Sequence, residues 1–152
     1  MEGLGMAYTR AKVVEEISAT ADRVFGEIGA FNNLPVIMAG TITRSTLDKK
    51  GVVRTLRIKG MKGSLDETLL KYDTAARVQI YTITADPNDL APFNDYTSTV
   101  KVKPITSRRS AVEWTSRFVP KKGKTKAECI EFAEGIYRLG IQGTRDVLGV
   151  KK

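Results

Sequence analysis

The stretch GVVRTLRIKGMKGSLDETL, Gly51–Leu69, carries the clearest structural signal in this chain and predicts a β-hairpin. Apolar and polar residues alternate on both sides of a turn at Gly60–Met61, which is typical of two half-buried strands. Arg54 and Glu67 each interrupt the apolar phase of their strand. Folding the chain back at the turn pairs Ile58 with Gly63, Leu56 with Leu65 and Arg54 with Glu67.

A charged pair on an apolar strand face has two interpretations. Ionisable side chains are rarely buried without a partner, so we expect Arg54 and Glu67 to contact each other. They form either the polar floor of a small-molecule pocket or an ion pair that only fixes the register of two strands. We favour the pocket, because a buried ion pair often contributes little net stability compared with apolar replacements.

The composition is that of one soluble globular domain spanning residues 1–152, with 41% hydrophobic and 28% charged residues. No apolar run approaches the ~18 residues of a transmembrane helix. The opening MEGLGMAYTR is too short and too weakly apolar for a secretory signal. The single cysteine, Cys129, excludes an internal disulfide, so we expect a cytoplasmic protein in which Cys129 packs on a helix face.

Histidine is absent from the sequence. This removes the commonest general base and the commonest metal ligand, so Ser–His and Cys–His nucleophile pairs are impossible. One cysteine without histidine also argues against a zinc site. We therefore expect neither a metal nor a cofactor.

The net charge of +8 raises the question of nucleic-acid binding. The basic residues are scattered, however, and their densest clusters fall at predicted turns and a helix start. These clusters are Lys49–Lys50, Arg108–Arg109, and Lys121, Lys122, Lys124 and Lys126. Solvated turns explain them better than a binding surface does, so nucleic acid is not the expected partner. A homodimer is left open.

The periodicity predicts an α+β fold in which a curved seven-stranded antiparallel sheet surrounds a long C-terminal helix, with two short helices after the first strand. The predicted strands are Ala7–Ser18, Gly40–Leu47, Val52–Lys59, Gly63–Tyr72, Arg77–Thr84, Asp95–Lys103 and Ser110–Val119. The predicted helical segments are Ala19–Gly29, Phe31–Met38 and Lys124–Leu148. Ala85–Phe93, which contains two prolines, is expected to be a functional loop or lid.

The C-terminal helix is expected to cover the sheet with a stripe containing Phe132, Ile136 and Gly140. Glycine within a helix destabilises it by about 1 kcal/mol relative to alanine, and this helix has three, at positions 135, 140 and 143. Such glycines either leave a void that a ligand fills or allow close packing of the helix on the sheet. The sequence does not separate these alternatives.

Continuing the hairpin geometry across the sheet predicts a row of polar side chains, with turns at Thr74 and at Ile105–Thr106. The expected opposite pairs are Glu67 with Tyr81, Tyr81 with Ser98, Ile83 with Tyr96, and Ser98 with Glu113. Periodicity argues against Glu113, because Val112, Trp114 and Phe118 occupy the apolar phase of its strand. For the two tyrosines, the alternative is packing with the hydroxyl at the rim.

An ordered set of short motifs resembles the SRPBCC superfamily, which includes the START and birch-pollen-allergen proteins. The motifs are ISATADRVF (Ile17–Phe25), GVVR (Gly51–Arg54), DETL (Asp66–Leu69), KYD (Lys71–Asp73), NDYTSTV (Asn94–Val100) and VEW (Val112–Trp114). Their order and spacing, from Val13 to Leu148, are similar to bacterial polyketide cyclase/dehydrase-type members and more distantly to plant abscisic-acid receptors. The resemblance implies the helix-grip, START-like fold.

The resemblance also implies a ligand cavity, and it is the reason that Glu113 is kept as a site residue. The implied lining residues are Arg54, Glu67, Tyr81, Ile83, Phe93, Tyr96, Ser98, Glu113, Phe132, Ile136 and Gly140, to which the hairpin adds Leu56, Ile58 and Leu65. Two features of the plant receptors are missing. Their ligand-anchoring lysine has no match around Met38–Gly40, and Ala91–Asn94 replaces their His-Arg-Leu latch. Abscisic-acid sensing is therefore not implied.

Three functions remain. The first, which we expect, is binding or transport of a hydrophobic small molecule (a lipid, polyketide or aromatic compound) whose polar group Arg54 and Glu67 orient. The second is a cyclase, dehydratase or lyase in which Glu67 is the catalytic base and Tyr81 or Tyr96 is a hydrogen-bond donor or acid. The third is a basic surface for nucleic acid or a partner protein.

Overall fold

The computed structural model describes residues 7–151, so most of the N-terminal stretch MEGLGMAYTR lies outside the described residues. Within residues 7–151, seven strands and three helices form the fold. The strands are β1 (Thr9–Ile17), β2 (Ile42–Leu47), β3 (Val53–Ile58), β4 (Leu65–Asp73), β5 (Val78–Ala85), β6 (Phe93–Thr106) and β7 (Arg109–Pro120). The helices are α1 (Ala21–Ile28), α2 (Leu34–Ile37) and α3 (Lys126–Leu148).

All neighbouring strands of the sheet are antiparallel, in the order β1-β7-β6-β5-β4-β3-β2. This open sheet, the two short helices after β1 and the long C-terminal helix confirm the predicted helix-grip fold. In the described residues, no helix has both the length and the apolarity needed to cross a membrane.

Local sequence signals explain where the helices begin and end. The Thr20 side chain accepts a hydrogen bond from the backbone N–H of Arg23 and caps α1. Thr125 and Glu128 form a reciprocal capping box at the start of α3. Gly149 ends α3 with a φ of 71°, a left-handed conformation that glycine adopts at no steric cost.

Helix α3 packs on β1 and β7 and against α2. Its buried face includes Cys129, as expected, together with Ala133, Tyr137 and Ile141. A Cβ atom on Gly140 would lie 2.6 Å from the ring of Trp114, and one on Gly143 would overlap the carbonyl oxygen of Ile37. Close packing, rather than a void, therefore explains these two glycines.

The register is as predicted in some hairpins and different in others. Arg54 lies opposite Glu67 and Leu56 opposite Leu65, as expected. Glu67, however, lies opposite Ile83 and not Tyr81, because the β4–β5 turn falls later than expected, between Asp73 and Val78, and the register then shifts by one residue between Leu69 and Lys71. Tyr81 does lie opposite Ser98.

The predicted pairing of Ser98 with Glu113 is wrong. Ser98 pairs with Ser116, whereas Glu113 pairs with Lys101. The β6–β7 turn occurs later than expected, at Ser107–Arg108. The resulting odd-numbered shift moves Glu113 to the opposite face of the sheet.

Candidate functional site

A cavity of about 80 Å³ lies between the inner face of the sheet and α3. Its walls are almost wholly apolar, and Glu67 is the one charged residue among the described residues that line it. The predicted site residues that line it are Leu56, Ile58, Leu65, Glu67, Tyr81, Ile83, Phe93, Tyr96, Phe132 and Ile136. Of the two charged residues that the hairpin places on the inner face, only Glu67 therefore lines the cavity.

Arg54 lies behind Glu67 and is not part of the cavity wall. Its Nε and Nη2 atoms donate to Oε1 of Glu67 at 2.9 and 2.6 Å, and Nη1 donates to the carbonyl oxygen of Phe31 at 2.6 Å. The guanidinium also lies over the rings of Phe31 and Tyr81, with its Cζ 4.2 and 4.8 Å from their centroids. Arg54 thus fixes Glu67 in place and is itself fully enclosed.

The two carboxylate oxygens of Glu67 differ in their hydrogen bonding. Both Arg54 donors use Oε1, and among the described residues no donor reaches Oε2. Burial raises the pKa of Glu67 above its ordinary 4.5, although the charge and hydrogen bonds of Arg54 act in the opposite direction. Loss of the carboxylate charge would leave the buried guanidinium uncompensated, so Arg54 favours the ionised form at neutral pH.

Three tyrosine hydroxyls meet inside the cavity. The hydroxyl oxygens of Tyr96 and Tyr137 are 2.5 Å apart, and those of Tyr81 and Tyr96 are 3.5 Å apart. The indole N–H of Trp114 donates to Tyr81 at 3.3 Å and to Oγ of Ser98 at 3.0 Å. The hydroxyls of Tyr81 and Tyr96 therefore lie in the interior and not at the rim.

These tyrosines stay protonated under ordinary conditions. Burial raises the pKa of Tyr81, Tyr96 and Tyr137, and for Tyr96 the neighbouring Tyr137 raises it further. Each hydroxyl consequently keeps one hydrogen to donate and two lone pairs to accept. The group can bind a polar atom of a ligand by donating or accepting.

Three other predicted site residues lie away from the cavity wall. Ser98 is fully buried. It donates to the carbonyl oxygen of Thr115 and accepts a hydrogen bond from the indole N–H of Trp114, so it helps to hold the Trp114 side chain in place. Gly140 leaves room for the Trp114 ring, which a Cβ atom at this position would approach to 2.6 Å. The expectation that Glu113 lines the cavity is wrong. Glu113 forms an ion pair with Lys103 at 2.6 Å on the other face of the sheet, and this contact lowers its pKa.

Eight lining residues were not predicted as site residues. They are Leu34, Met38, Ile42, Leu90, Ala91, Trp114, Ala133 and Tyr137. Trp114 had a usable signal, because it falls in the predicted apolar phase of its strand and its indole N–H needs a partner when it is buried. Tyr137 lies on the buried face of α3 with Ala133 and Ile141. The rings of Trp114 and Tyr137 stack at 4.8 Å and join the sheet to α3.

The loop 86–92, which we term the lid, contributes Leu90 and Ala91 to the cavity wall. The Asp86 carboxylate accepts hydrogen bonds from the backbone N–H groups of these two residues and from Nζ of Lys121, all within 3.0 Å. Lys121 also contacts Asp89 at 2.9 Å. Burial raises the pKa of Asp86, but these hydrogen bonds outweigh it and hold the pKa below 3.8.

A metal site would need several ligating side chains close together, and the described residues do not provide such a group. In the part of the chain that the structure describes, no three His, Cys, Asp or Glu side chains are grouped to hold an ion. What the arrangement offers is a partly open apolar space, one anchored carboxylate and a set of hydroxyl groups. This chemistry suits an uncharged organic molecule.

Residues 8–149 match the family described as "Polyketide cyclase / dehydrase and lipid transport". The match covers almost the whole chain. No curated protein is similar enough to this chain to count as a match.

Several solved structures share the fold. An uncharacterised protein from Bacillus thuringiensis is 29% identical, with a TM-score of 0.81 over 91% of this chain and 97% of that chain. The protein XoxI from Bacillus cereus is also 29% identical, with a TM-score of 0.81 over 91% and 94%. Norcoclaurine synthase from Thalictrum flavum, solved with dopamine and hydroxybenzaldehyde, is 14% identical, with a TM-score of 0.68 over 98% and 91%.

Proposed function

The chain belongs to the polyketide cyclase / dehydrase and lipid transport family of the SRPBCC superfamily, and on that premise we propose that its internal cavity binds a hydrophobic small molecule. The observation that carries this proposal is the cavity itself, an apolar space within a packed interior. Well-packed proteins leave few such spaces, and a concave, mostly apolar space is the usual form of a small-molecule site.

The volume limits the ligand in this conformation. At about 80 Å³ the cavity is smaller than the ~150 Å³ engineered apolar cavity that binds benzene and well below the usual 300–1,000 Å³ of ligand pockets. A single-ring compound therefore needs a small outward movement of the lid or of Phe132, which is 41% exposed at the rim. A lipid or polyketide needs a larger opening.

Binding of toluene, followed by Trp114 fluorescence and calorimetry, tests this proposal. We expect saturable binding to the wild-type protein and its loss in Ala133→Leu, because the larger side chain fills the cavity. Gly135→Ala on the same helix is the matched control, since a Cβ atom at position 135 meets nothing within 4 Å. Absence of saturable binding to the wild-type protein, or equal binding to Ala133→Leu, would contradict the proposal.

A second candidate function is a cyclase, dehydratase or lyase reaction on the bound molecule. The observation in its favour is a buried carboxylate of raised pKa beside three tyrosine hydroxyls in one cavity. Glu67 would remove a proton and a tyrosine would donate a hydrogen bond. A screen of polyketide-like substrates, followed by Glu67→Gln, tests it, and unchanged turnover in that variant would exclude Glu67 as the base.

A further inference from the structure

We propose that the cavity selects neutral ligands bearing a hydroxyl group, such as phenols and alcohols, and rejects carboxylates. This proposal rests on the proposed function, because it specifies which small molecules the same cavity binds. It starts from the asymmetry of the Arg54–Glu67 pair, in which one carboxylate oxygen is used and the other is not.

The first step concerns what the carboxylate can accept. Oε1 of Glu67 already receives two donors from Arg54, and among residues 7–151 no donor reaches Oε2. Glu67 belongs to the cavity wall. A ligand that donates a hydrogen bond to Oε2 therefore supplies the partner that this carboxylate oxygen lacks, and hydrogen bonds to charged groups are stronger than those between neutral groups.

The second step concerns ligand charge. Among the described residues that line the cavity, none is a lysine or an arginine. Arg54 directs its donors to Glu67 and to the Phe31 carbonyl oxygen, and aromatic rings cover its faces. A ligand carboxylate would meet Glu67 without a free counter-charge, and burying an unpaired charge is strongly unfavourable.

The third step concerns the tyrosines. Three hydroxyl groups make two mutual contacts, so one hydroxyl hydrogen remains for another acceptor, which is either a neighbouring serine, Ser98 or Ser116, or a ligand. The 3.5 Å contact between Tyr81 and Tyr96 is also at the limit of hydrogen bonding. A ligand hydroxyl can donate to Glu67 and accept from a tyrosine, whereas an ether or a ketone can only accept. A hydroxyl group therefore fits both halves of the polar wall.

Four ligands of related shape test this inference on the wild-type protein at neutral pH. They are 4-methylphenol, 4-methylanisole, toluene and 4-methylbenzoate, with affinities measured by calorimetry. We expect 4-methylphenol to bind about 10-fold more tightly than toluene, the gain of one good hydrogen bond. The anisole, which has lost the donor, should show no such gain, and the benzoate should bind more weakly than toluene.

Glu67→Gln tests the residue assignment. The variant removes the charge of the acceptor, so the ratio of 4-methylphenol to toluene affinity should fall to below about 3-fold. Glu113→Gln, on the outer face, is the matched control and should keep the wild-type ratio. If Glu67→Gln fails to fold, the order of the four ligand affinities on the wild-type protein alone supports or overturns the proposed selectivity.

The outcomes separate the two proposals. Toluene binding without a preference for 4-methylphenol, or tighter binding of 4-methylbenzoate, overturns the selectivity and leaves the hydrophobic cavity site standing. Failure of all four compounds to bind overturns both.

Discussion

Arg54 is only 1% exposed, and each of its three guanidinium nitrogens donates a hydrogen bond. Three hydrogen bonds and two aromatic faces hold its guanidinium. A buried ion pair of this kind adds little net stability compared with apolar residues, but the loss of one partner leaves an uncompensated charge. The pair is therefore best understood as a single unit.

Removing one partner of the Arg54–Glu67 pair should lower the free energy of unfolding far more than removing both. We expect Arg54→Met to lower the free energy of unfolding by about 3–5 kcal/mol, and Arg54→Met/Glu67→Leu to recover most of that loss. Urea denaturation measures both. Glu113→Gln, in the exposed pair with Lys103, should change stability by less than about 1 kcal/mol. A double variant as unstable as the single one would show that the pair itself stabilises the fold.

The raised pKa of Glu67 predicts a pH dependence of stability. Between the ordinary pKa of 4.5 and the raised one, the folded protein holds a proton that the unfolded chain has lost. The contribution of Glu67 to stability is therefore greatest below about pH 4.5 and falls as the pH rises through the raised pKa. The wild-type minus Glu67→Gln difference in unfolding free energy, from urea titrations at several pH values, should decrease with pH. A constant or increasing difference would contradict the shift.

At the scale of the element, periodicity predicts helices and strands well but cannot locate a bulge. The β4–β5 register shifts near Leu70, and β5 is apolar in both phases, so nothing in the pattern signals the extra residue. The residue opposite Glu67 is Ile83, two positions from the expected Tyr81. Because side chains alternate between the two faces of a strand, a displacement by two residues leaves Tyr81 on the inner face. The later β6–β7 turn produced an odd displacement and moved Glu113 to the outer face.

Two glycines of α3 should respond oppositely to alanine. Gly135→Ala should stabilise the protein by about 0.5–1 kcal/mol, because a Cβ atom there meets open space and alanine favours the helix. Gly143→Ala should destabilise it by about 1–3 kcal/mol, because the Cβ atom would overlap the Ile37 carbonyl oxygen. Thermal denaturation of the two variants checks this. Equal effects would contradict close packing at position 143.

The lid should loosen when its ion pairs are removed. Lys121→Met abolishes the contacts with Asp86 and Asp89, so the amides of Leu90 and Ala91 should exchange with solvent at least about 3-fold faster. Hydrogen exchange followed by NMR measures this. The exposed neighbour offers a control, Lys122→Met, which should leave these amides unchanged. Unchanged exchange in Lys121→Met would show that the lid is held by its backbone contacts alone.

At the scale of the molecule, one apolar core includes residues from all three helices and from the lid. Trp114 is 2% exposed and stacks on Tyr137, so its fluorescence is sensitive to the packing of α3 on the sheet. The sequence predicted this architecture because the apolar faces are long and regular. It did not predict the lining from α2 and the lid, because short irregular segments have no period that shows which side chains turn inward.

Unfolding should be cooperative, because no described element packs apart from this core. The midpoints from Trp114 fluorescence and from far-UV circular dichroism should coincide in urea. Two separate midpoints would indicate that α3 detaches before the sheet unfolds.

The open sheet also has a consequence for behaviour at high concentration. In the sheet formed by residues 7–151, β1 and β2 are the outer strands, and exposed strand edges can recruit further chains into aggregates. Strand β2 is short, interrupted by a register shift before Arg44 and followed by Lys49 and Lys50. These features make β2 a poor edge for pairing with a strand of another molecule. Salt screens the mutual repulsion of molecules that carry a charge of +8, but it leaves the irregular edge intact.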